Sequence, residues 1–273
     1  MKNIAIVTWY TIKEAMARKV FIFFAVISAL VIIFTAVILG ITDVTSLAEG
    51  FAKGNGMMDI GIIISKLEIA IVSPLAGLGL LLAIFASSSF IPIMLEKGNI
   101  DLLLSKPVSR TQLLWGKYFG GTAVVFLNIA ILIIGVWLSI SIKFDYWQFT
   151  FLWSILIITF TFAVLYSLIV LFGVLTKSSM LGMMIAYLIF LIISPLLRLG
   201  HYELQTVISS EFWRSVIDGA YYLLPKTAEL MKNVIEKLAS GEAIESYQPI
   251  WTSFLFLLAM MGISTYAFNK KDF

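Results

Sequence analysis

Few residues in this chain have the types and spacing that enzyme active sites require. The sequence has no cysteine and one histidine, His201, and it contains neither an H-E-x-x-H zinc motif nor a G-x-S-x-G nucleophile motif. The G-x-x-x-x-G-K-[ST] loop that binds nucleotide phosphates is also missing. One histidine without a second histidine or a cysteine nearby is a poor zinc site. We therefore expect no enzyme activity, no metal site and no cofactor on this chain itself.

The composition is typical of a membrane protein. Of the 273 residues, 60% are hydrophobic and 13% are charged, whereas soluble domains have about 45–50% apolar and about 25% charged residues. The formal charge of +3 is too small to suggest a nucleic-acid partner. We therefore predict an all-α polytopic protein whose main surroundings are the lipid bilayer.

Six apolar runs are long enough to cross the membrane, since about 20 helical residues span the hydrocarbon. No run contains a charged side chain, which would cost about 2.5–3.5 kcal/mol at the centre of a span. The absence of Asp, Glu and His from these runs also disfavours an ion-coupled carrier. Within a single transmembrane domain of residues 1–273, the predicted transmembrane helices are residues 20–41, 69–94, 122–142, 149–175, 179–197 and 250–268.

Lysine and arginine are distributed unequally between the two sides of these spans. The side that holds both termini has 11 of them and the opposite side has 8, although the opposite segments are longer. Basic residues in short loops favour the cytoplasmic side. We therefore predict cytoplasmic termini in a multi-pass cell (inner) membrane protein. Residues 1–19, with Trp9, Tyr10 and four basic side chains, predict an amphipathic interfacial helix.

The outer loop, residues 198–249, contains two segments with helical periodicity. Ser209 or Ser210 can cap the first segment, and Pro225 ends it; Thr227 can cap the second, and Gly241 stops it. Neither amphipathic helix is long enough to span, so we expect them on the outer membrane surface or over the mouth of the protein. Their apolar faces include Trp213, Ile217, Tyr221, Leu230 and Val234.

The longest basic segment between spans runs from Met94 to Gly121. Its first half predicts a short amphipathic helix, and Pro107 disfavours a helical conformation at Lys106. The leucines at 102–104 can supply a small apolar anchor for another protein, while flanking charges select the partner. The alternative is an ordinary cytoplasmic loop whose positive charges only set the topology.

The residues of this loop carry a family resemblance. Glu96 and Gly98, the run L-L-L-S-K-P-V-S-R at 102–110, and Gly116-Lys117 resemble the pattern of type-2 ABC exporter permeases. The match is most similar to the subgroup that contains the copper-maturation permease of nitrous oxide reductase. Here Asn99 follows the glycine where threonine is commoner.

The resemblance implies a permease homodimer, or a close heterodimer, clamped on two ABC ATPase subunits that bind the ATP and magnesium. It places a coupling helix, which docks on the ATPase, at residues 96–105 between the second and third spans. Carried onto this sequence, the docking residues are Glu96, Gly98, Asp101, Leu102, Leu103, Leu104, Ser105, Pro107 and Arg110, with Gly116 and Lys117 in the loop to the third span.

Ser178, Gly182 and Ala186 form a ladder of small residues on the fifth span. Such ladders allow close helix approach, either at a homodimer seam or within one chain. Two other functions remain alternatives to the permease: a membrane scaffold that recruits an extracytoplasmic partner through the outer helices, and an ion-coupled secondary carrier. An extracytoplasmic accessory protein is compatible with the permease as well.

Overall fold

The computed structural model describes residues 2–17, 20–41, 60–105, 107–203, 210–241, 243–244 and 246–271. Over these ranges the chain forms helices and no strand. The first six helices are α1 (Lys2–Ala17), α2 (Val20–Ile41), α3 (Ile60–Ser87), α4 (Phe90–Met94), α5 (Asn99–Leu104) and α6 (Arg110–Phe144).

The second half of the chain begins with a 3₁₀ turn, Phe149–Trp153, that leads into α7 (Ser154–Thr176). A π-helical turn, Ile189–Ile193, joins α8 (Ser179–Leu188) to α9 (Ser194–Tyr202). The remaining helices are α10 (Glu211–Leu223), α11 (Thr227–Glu229), which continues through a π turn (Leu230–Val234) into α12 (Ile235–Ser240), and α13 (Gln248–Lys270).

Six helices of the described part are long and apolar enough to cross a membrane, which confirms the predicted number of spans. Two of them begin well before their predicted starts. Helix α3 begins at Ile60, nine residues before the predicted start, and it includes Glu68 and continues through Pro74. The last residues of the predicted run form the separate helix α4. Helix α3 stops at Ser87, where the Ser88 hydroxyl donates to the Phe85 carbonyl at 2.7 Å. Serine side chains that bond to nearby backbone compete with helix continuation.

Helix α6 is the second span that begins before its predicted start. Its 35 residues correspond to roughly 52 Å at 1.5 Å per residue, against about 30 Å of hydrocarbon. The prediction of a loop at Gly116 and Lys117 is therefore wrong, because both residues lie on the first turns of α6. These turns extend the third span beyond the apolar run.

Helix α7 is the centre of the bundle. About 78% of the residues in the apolar part of this span are buried inside the protein, compared with 22–39% for the other five spans. It is apolar on all sides, which is typical of a helix surrounded by others. Phe162 and Tyr166 are fully buried, and the Tyr166 ring stacks on Tyr118 of α6 with 5.6 Å between centroids. Helices α3, α6, α8 and α13 all pack against α7.

The small-residue ladder of α8 packs within the chain. Gly182 and Ala186 are buried, and a Cβ atom on Gly182 would lie 3.1 Å from the Cα atom of Ile169 in α7. Of the two alternatives for this ladder, the structure therefore favours packing within one chain for Gly182 and Ala186, because both are buried and Gly182 lies against α7. Ser178 instead caps α8 by accepting from the Leu181 amide.

The two outer helices occupy different environments. Helix α10 is largely exposed, including Trp213, and of its residues only Tyr221 is buried. The segment from α11 to α12 covers one end of the bundle, where Leu230 and Val234 are buried. Ser210 occupies the N-cap position of α10, one of the two predicted, but its side chain makes no cap bond; Ser209 lies outside the described residues. The second cap prediction needs correction, because Lys226, rather than Thr227, precedes α11. Gly241 ends α12 with φ +72°, as predicted.

Candidate docking surface

The helix in the loop between the second and third spans is α5, shorter than the predicted residues 96–105. Gly98 begins it with φ +89°, a conformation that glycine adopts easily and other residues rarely do. Ile100 is buried, with 2% of its surface exposed, and Asn99 Nδ2 donates to the Ile93 carbonyl at 3.0 Å. These contacts hold α5 against the end of the bundle. Ile100 is absent from the predicted docking residues. The signal that could have found it is its spacing of three residues from Leu103, which places both on one face of a helix.

The exposed residues of α5 and of the turns on either side of it are polar over the side chains that the structure describes. Glu96, Lys97, Asp101 and Ser105 are exposed. Leu103 is half-buried and packs against the core, so it does not point outward as an anchor. The side chains of Leu102 and Leu104 lie outside the described part. Where the structure describes them, the exposed side chains of this segment are therefore polar or charged.

The segment after α5 is held by hydrogen bonds to α1 and by a helix cap. Helix α5 ends at Leu104, before Pro107, whose carbonyl accepts from Asn3 Nδ2 at 3.1 Å. Ser109 caps α6 through a reciprocal capping box with Gln112, in which each side chain accepts from the other backbone amide at 3.2 Å. Such a box satisfies two amides at the helix start.

Arg110, predicted as a docking residue, binds the C-terminal segment. Its Nη1 donates to the carbonyl of Lys271 at 2.7 Å and to that of Asn269 at 3.3 Å. Lys271 Nζ donates in turn to the carbonyls of Val174 and Leu175 at 2.7 and 3.0 Å. Burial, and secondarily the nearby positive charge of another lysine, lowers the pKa of Lys271. Arg110 and Lys271 therefore join the start of α6, the end of α7 and the end of α13 by hydrogen bonds.

The N-terminal helix packs against the extended start of α6. Lys117 forms an ion pair with Glu14, and Thr8 Oγ1 donates to the Gly116 carbonyl at 3.3 Å. A Cβ atom on Gly116 would lie 2.5 Å from the Val7 Cβ, and one on Gly120 would lie 2.4 Å from the Thr11 Cβ. Because real Cβ atoms do not approach so closely, glycine is what allows the two helices to touch.

A polar cluster lies at the opposite end of the bundle, where α9, α10 and α11 meet. The Tyr221 hydroxyl donates to Glu229, and the Tyr221 ring stacks on His201 with 4.0 Å between centroids. Lys226 Nζ lies 3.6 Å from the centroid of the Tyr221 ring. Burial lowers the pKa of Lys226 to about 8, and burial together with the bond to Glu229 raises the pKa of Tyr221. His201 Nδ1 contacts Asp218 Oδ1 at 2.7 Å.

This cluster was not predicted, because its members are spread over four segments without a repeating spacing. The structure brings Tyr221 together with the start of α11 but leaves Trp213 exposed. Within the described ranges, no group of three or more His, Cys, Asp or Glu residues is arranged to hold a metal ion.

Two comparisons with known proteins bear on this arrangement. The model of a family described as ABC-2 family transporter protein matches residues 5–273. Among curated proteins, none matches the chain.

Proposed function

This chain belongs to the ABC-2 transporter family and is a membrane permease subunit of an ABC transporter; on that premise, we propose that it couples ATP hydrolysis by a separate ATPase to export. ATP and magnesium are bound by the ATPase in this proposal. Two ATPase subunits pair with a permease homodimer or a close heterodimer. Membership of the nitrous-oxide-reductase subgroup stays a prediction from the loop residues.

The observation that supports coupling is the way α5 is joined to the rest of the bundle. Ile100 and Leu103 of α5 pack inward, while Glu96 and Asp101 remain exposed to a partner. The next residues bind α1 through Asn3 and the C-terminal segment through Arg110. A force applied to α5 would therefore pass through the residues that follow it to α1, α6 and α13.

We propose that the end carrying α1, α5 and the C-terminus is cytoplasmic, because basic residues are enriched there. ATP binding would close the ATPase pair and move the two copies of α5 together, and the helices would transmit that movement across the membrane. The polar cluster and α10 then face the opposite side. The exposed side chains of α10 favour a second candidate function, recruitment of an extracytoplasmic accessory protein.

The experiment uses the chain copurified with its ABC ATPase partner. We expect no ATP hydrolysis by the chain alone, and hydrolysis and stable association for the pair. Reversing charge with Glu96→Arg and Asp101→Arg should weaken association, since charges at an interface select the partner. The control is Glu236→Arg, an equal charge change on an exposed residue of α12 at the opposite end.

Two results would contradict the proposal. One is ATP hydrolysis by the chain without its partner. The other is equal association of the ATPase with the α5 charge-reversal variants and with the Glu236→Arg control. Leu103→Asp is a poor test, because Leu103 packs against the core and its loss would disturb folding.

A further inference from the structure

A crevice between α2, α3 and α6 has a volume of about 370 Å³. This is within the range of roughly 300–1,000 Å³ that small-molecule sites occupy. Its walls are mostly aliphatic and include Phe24, Leu78 and Leu82. Among the residues that the structure describes, the lining has no charged residue and only two polar side chains, Ser28 and Asn128. The crevice is therefore suited to an uncharged, largely apolar molecule.

Asn128 supplies an unused hydrogen-bond acceptor in this crevice. The side chain is buried, with 5% of its surface exposed, and its Nδ2 donates to the Val124 carbonyl at 2.9 Å. Of the two terminal atoms of the Asn128 side chain, only the nitrogen can donate to the Val124 carbonyl. This bond therefore assigns the other terminal atom as the oxygen, Oδ1. Asn128 Oδ1 has no hydrogen-bond partner in the described structure. A buried acceptor without a donor is unfavourable, and a ligand that brings a donor would relieve it.

The depth of Asn128 limits what that donor can be. Asn128 lies six residues beyond Thr122, where the apolar run begins, which is about 9 Å along a helix. A phosphate or ammonium headgroup at this depth would be costly. A hydroxyl group is uncharged, and it can donate one hydrogen bond.

We propose that this crevice binds a single-chain lipid alcohol. Its hydroxyl group donates to Asn128 Oδ1, and its hydrocarbon chain lies along Leu78, Gly79 and Leu82. The crevice is partly open, and the helices that form it span the bilayer, so a membrane lipid can enter from the hydrocarbon. The proposal depends only on α2, α3 and α6 lying in the membrane. It therefore goes beyond the coupling function, and its failure would leave that function standing.

The test uses the full chain with its ATPase in phosphatidylcholine vesicles. The probe is hexadecanol carrying a photoactivatable diazirine on its chain, and labelled peptides are identified by mass spectrometry. We expect labelling of α2, α3 and α6 at residues that line the crevice. Unlabelled hexadecanol should compete about 2- to 10-fold better than hexadecyl methyl ether, which lacks the donor, because one net hydrogen bond is at stake. Asn128→Leu should remove this difference.

A second pair of variants tests the cavity itself. Gly79 lines the crevice, and a Cβ atom there would have no neighbour within 4 Å, so Gly79→Leu fills the space without a backbone clash. Gly77 also has open space at its Cβ but does not line the crevice, which makes Gly77→Leu the matched control. We expect at least a fivefold loss of labelling in Gly79→Leu and none in Gly77→Leu.

Three results would overturn the proposal. The first is equal competition by hexadecanol and its methyl ether in the unmodified chain. The second is equal labelling of the Gly79→Leu and Gly77→Leu variants. The third is disulfide crosslinking between two copies of a Leu78→Cys variant, in a chain that otherwise has no cysteine, which would show that a second copy of this chain occupies the space.

Discussion

Lys117 and Glu14 form an ion pair across the contact between α6 and α1, with 2.5 Å between Nζ and Oε2. The Lys117 side chain is 4% exposed and that of Glu14 is 22% exposed. The pair lies beside Gly116 and Gly120, where the backbones of the two helices come closest. Charge and close packing thus act together to hold the N-terminal helix on the extension of the third span.

Lys117→Met should destabilise the protein by about 1–3 kcal/mol, because the ion pair between α6 and α1 is lost at a position where Lys117 is almost fully buried. Thermal unfolding in detergent measures this effect. The additional change Glu14→Gln should restore part of the loss, since it removes a partly buried carboxylate charge that Lys117 no longer offsets. Lys13→Met, on an exposed residue of α1, is the control. Equal unfolding temperatures for Lys117→Met and Lys13→Met would contradict the structural role of the pair.

Gly120→Ala should separate α1 from α6, because the added Cβ would meet Thr11 at 2.4 Å. Overpacking of this kind costs about 1–3 kcal/mol. Thr11→Gly removes the opposing atoms and should reduce the effect of Gly120→Ala, which a double-mutant cycle in thermal unfolding would detect.

The control for this cycle is Gly262→Ala in α13, where the new Cβ meets nothing within 4 Å. That variant should be neutral or stabilising by about 0.5–1 kcal/mol. Additive effects of Gly120→Ala and Thr11→Gly would show that the close helix contact is absent.

Gly98→Ala should destabilise the start of α5, because φ +89° is strained for a residue with a Cβ. The expected cost is about 1–3 kcal/mol, confined to this loop. Trypsin cleavage after the exposed Lys97 reports local opening and should become several-fold faster. Gly219→Ala, on an exposed helical glycine with open space, should leave that rate unchanged. An unchanged rate in Gly98→Ala as well would argue against the strained turn.

Lys226 should make stability rise with pH on the alkaline side. Its pKa is lowered to about 8 in the folded protein, against about 10.4 for a lysine in an unfolded chain. Between these values the unfolded state binds more protons, so the free energy of unfolding increases by up to about 1.4 kcal/mol per pH unit. Below pH 8 both states are protonated and this contribution is constant.

Thermal unfolding at pH 7.5 and pH 9.5 tests this effect of Lys226. Lys226→Met should abolish the part of the increase in stability with pH that Lys226 causes. Lys232→Met, on an exposed residue of the neighbouring π turn, should retain that increase. An identical pH dependence in the unmodified protein and in Lys226→Met would refute the assignment.

The amino-acid sequence by itself determined the six spans, the presence of a helix after Gly98, and the end of α12 at Gly241. These features depend on local conditions. A run of about 20 apolar residues meets the length that the bilayer requires, and a glycine adopts a positive φ wherever it lies in the chain. Such signals can be read without knowing the neighbours of each residue.

Only the tertiary structure decided which surfaces meet. The ladder at Gly182 and Ala186 indicated close helix approach, but its partner, α7, was not encoded in the spacing. Lys117 and Glu14 are 103 positions apart, and the cluster around Tyr221 draws on segments without a shared period. The physical reason is that a periodic pattern reports which face of a helix is apolar or small, whereas the choice of partner follows from the packing of the whole bundle.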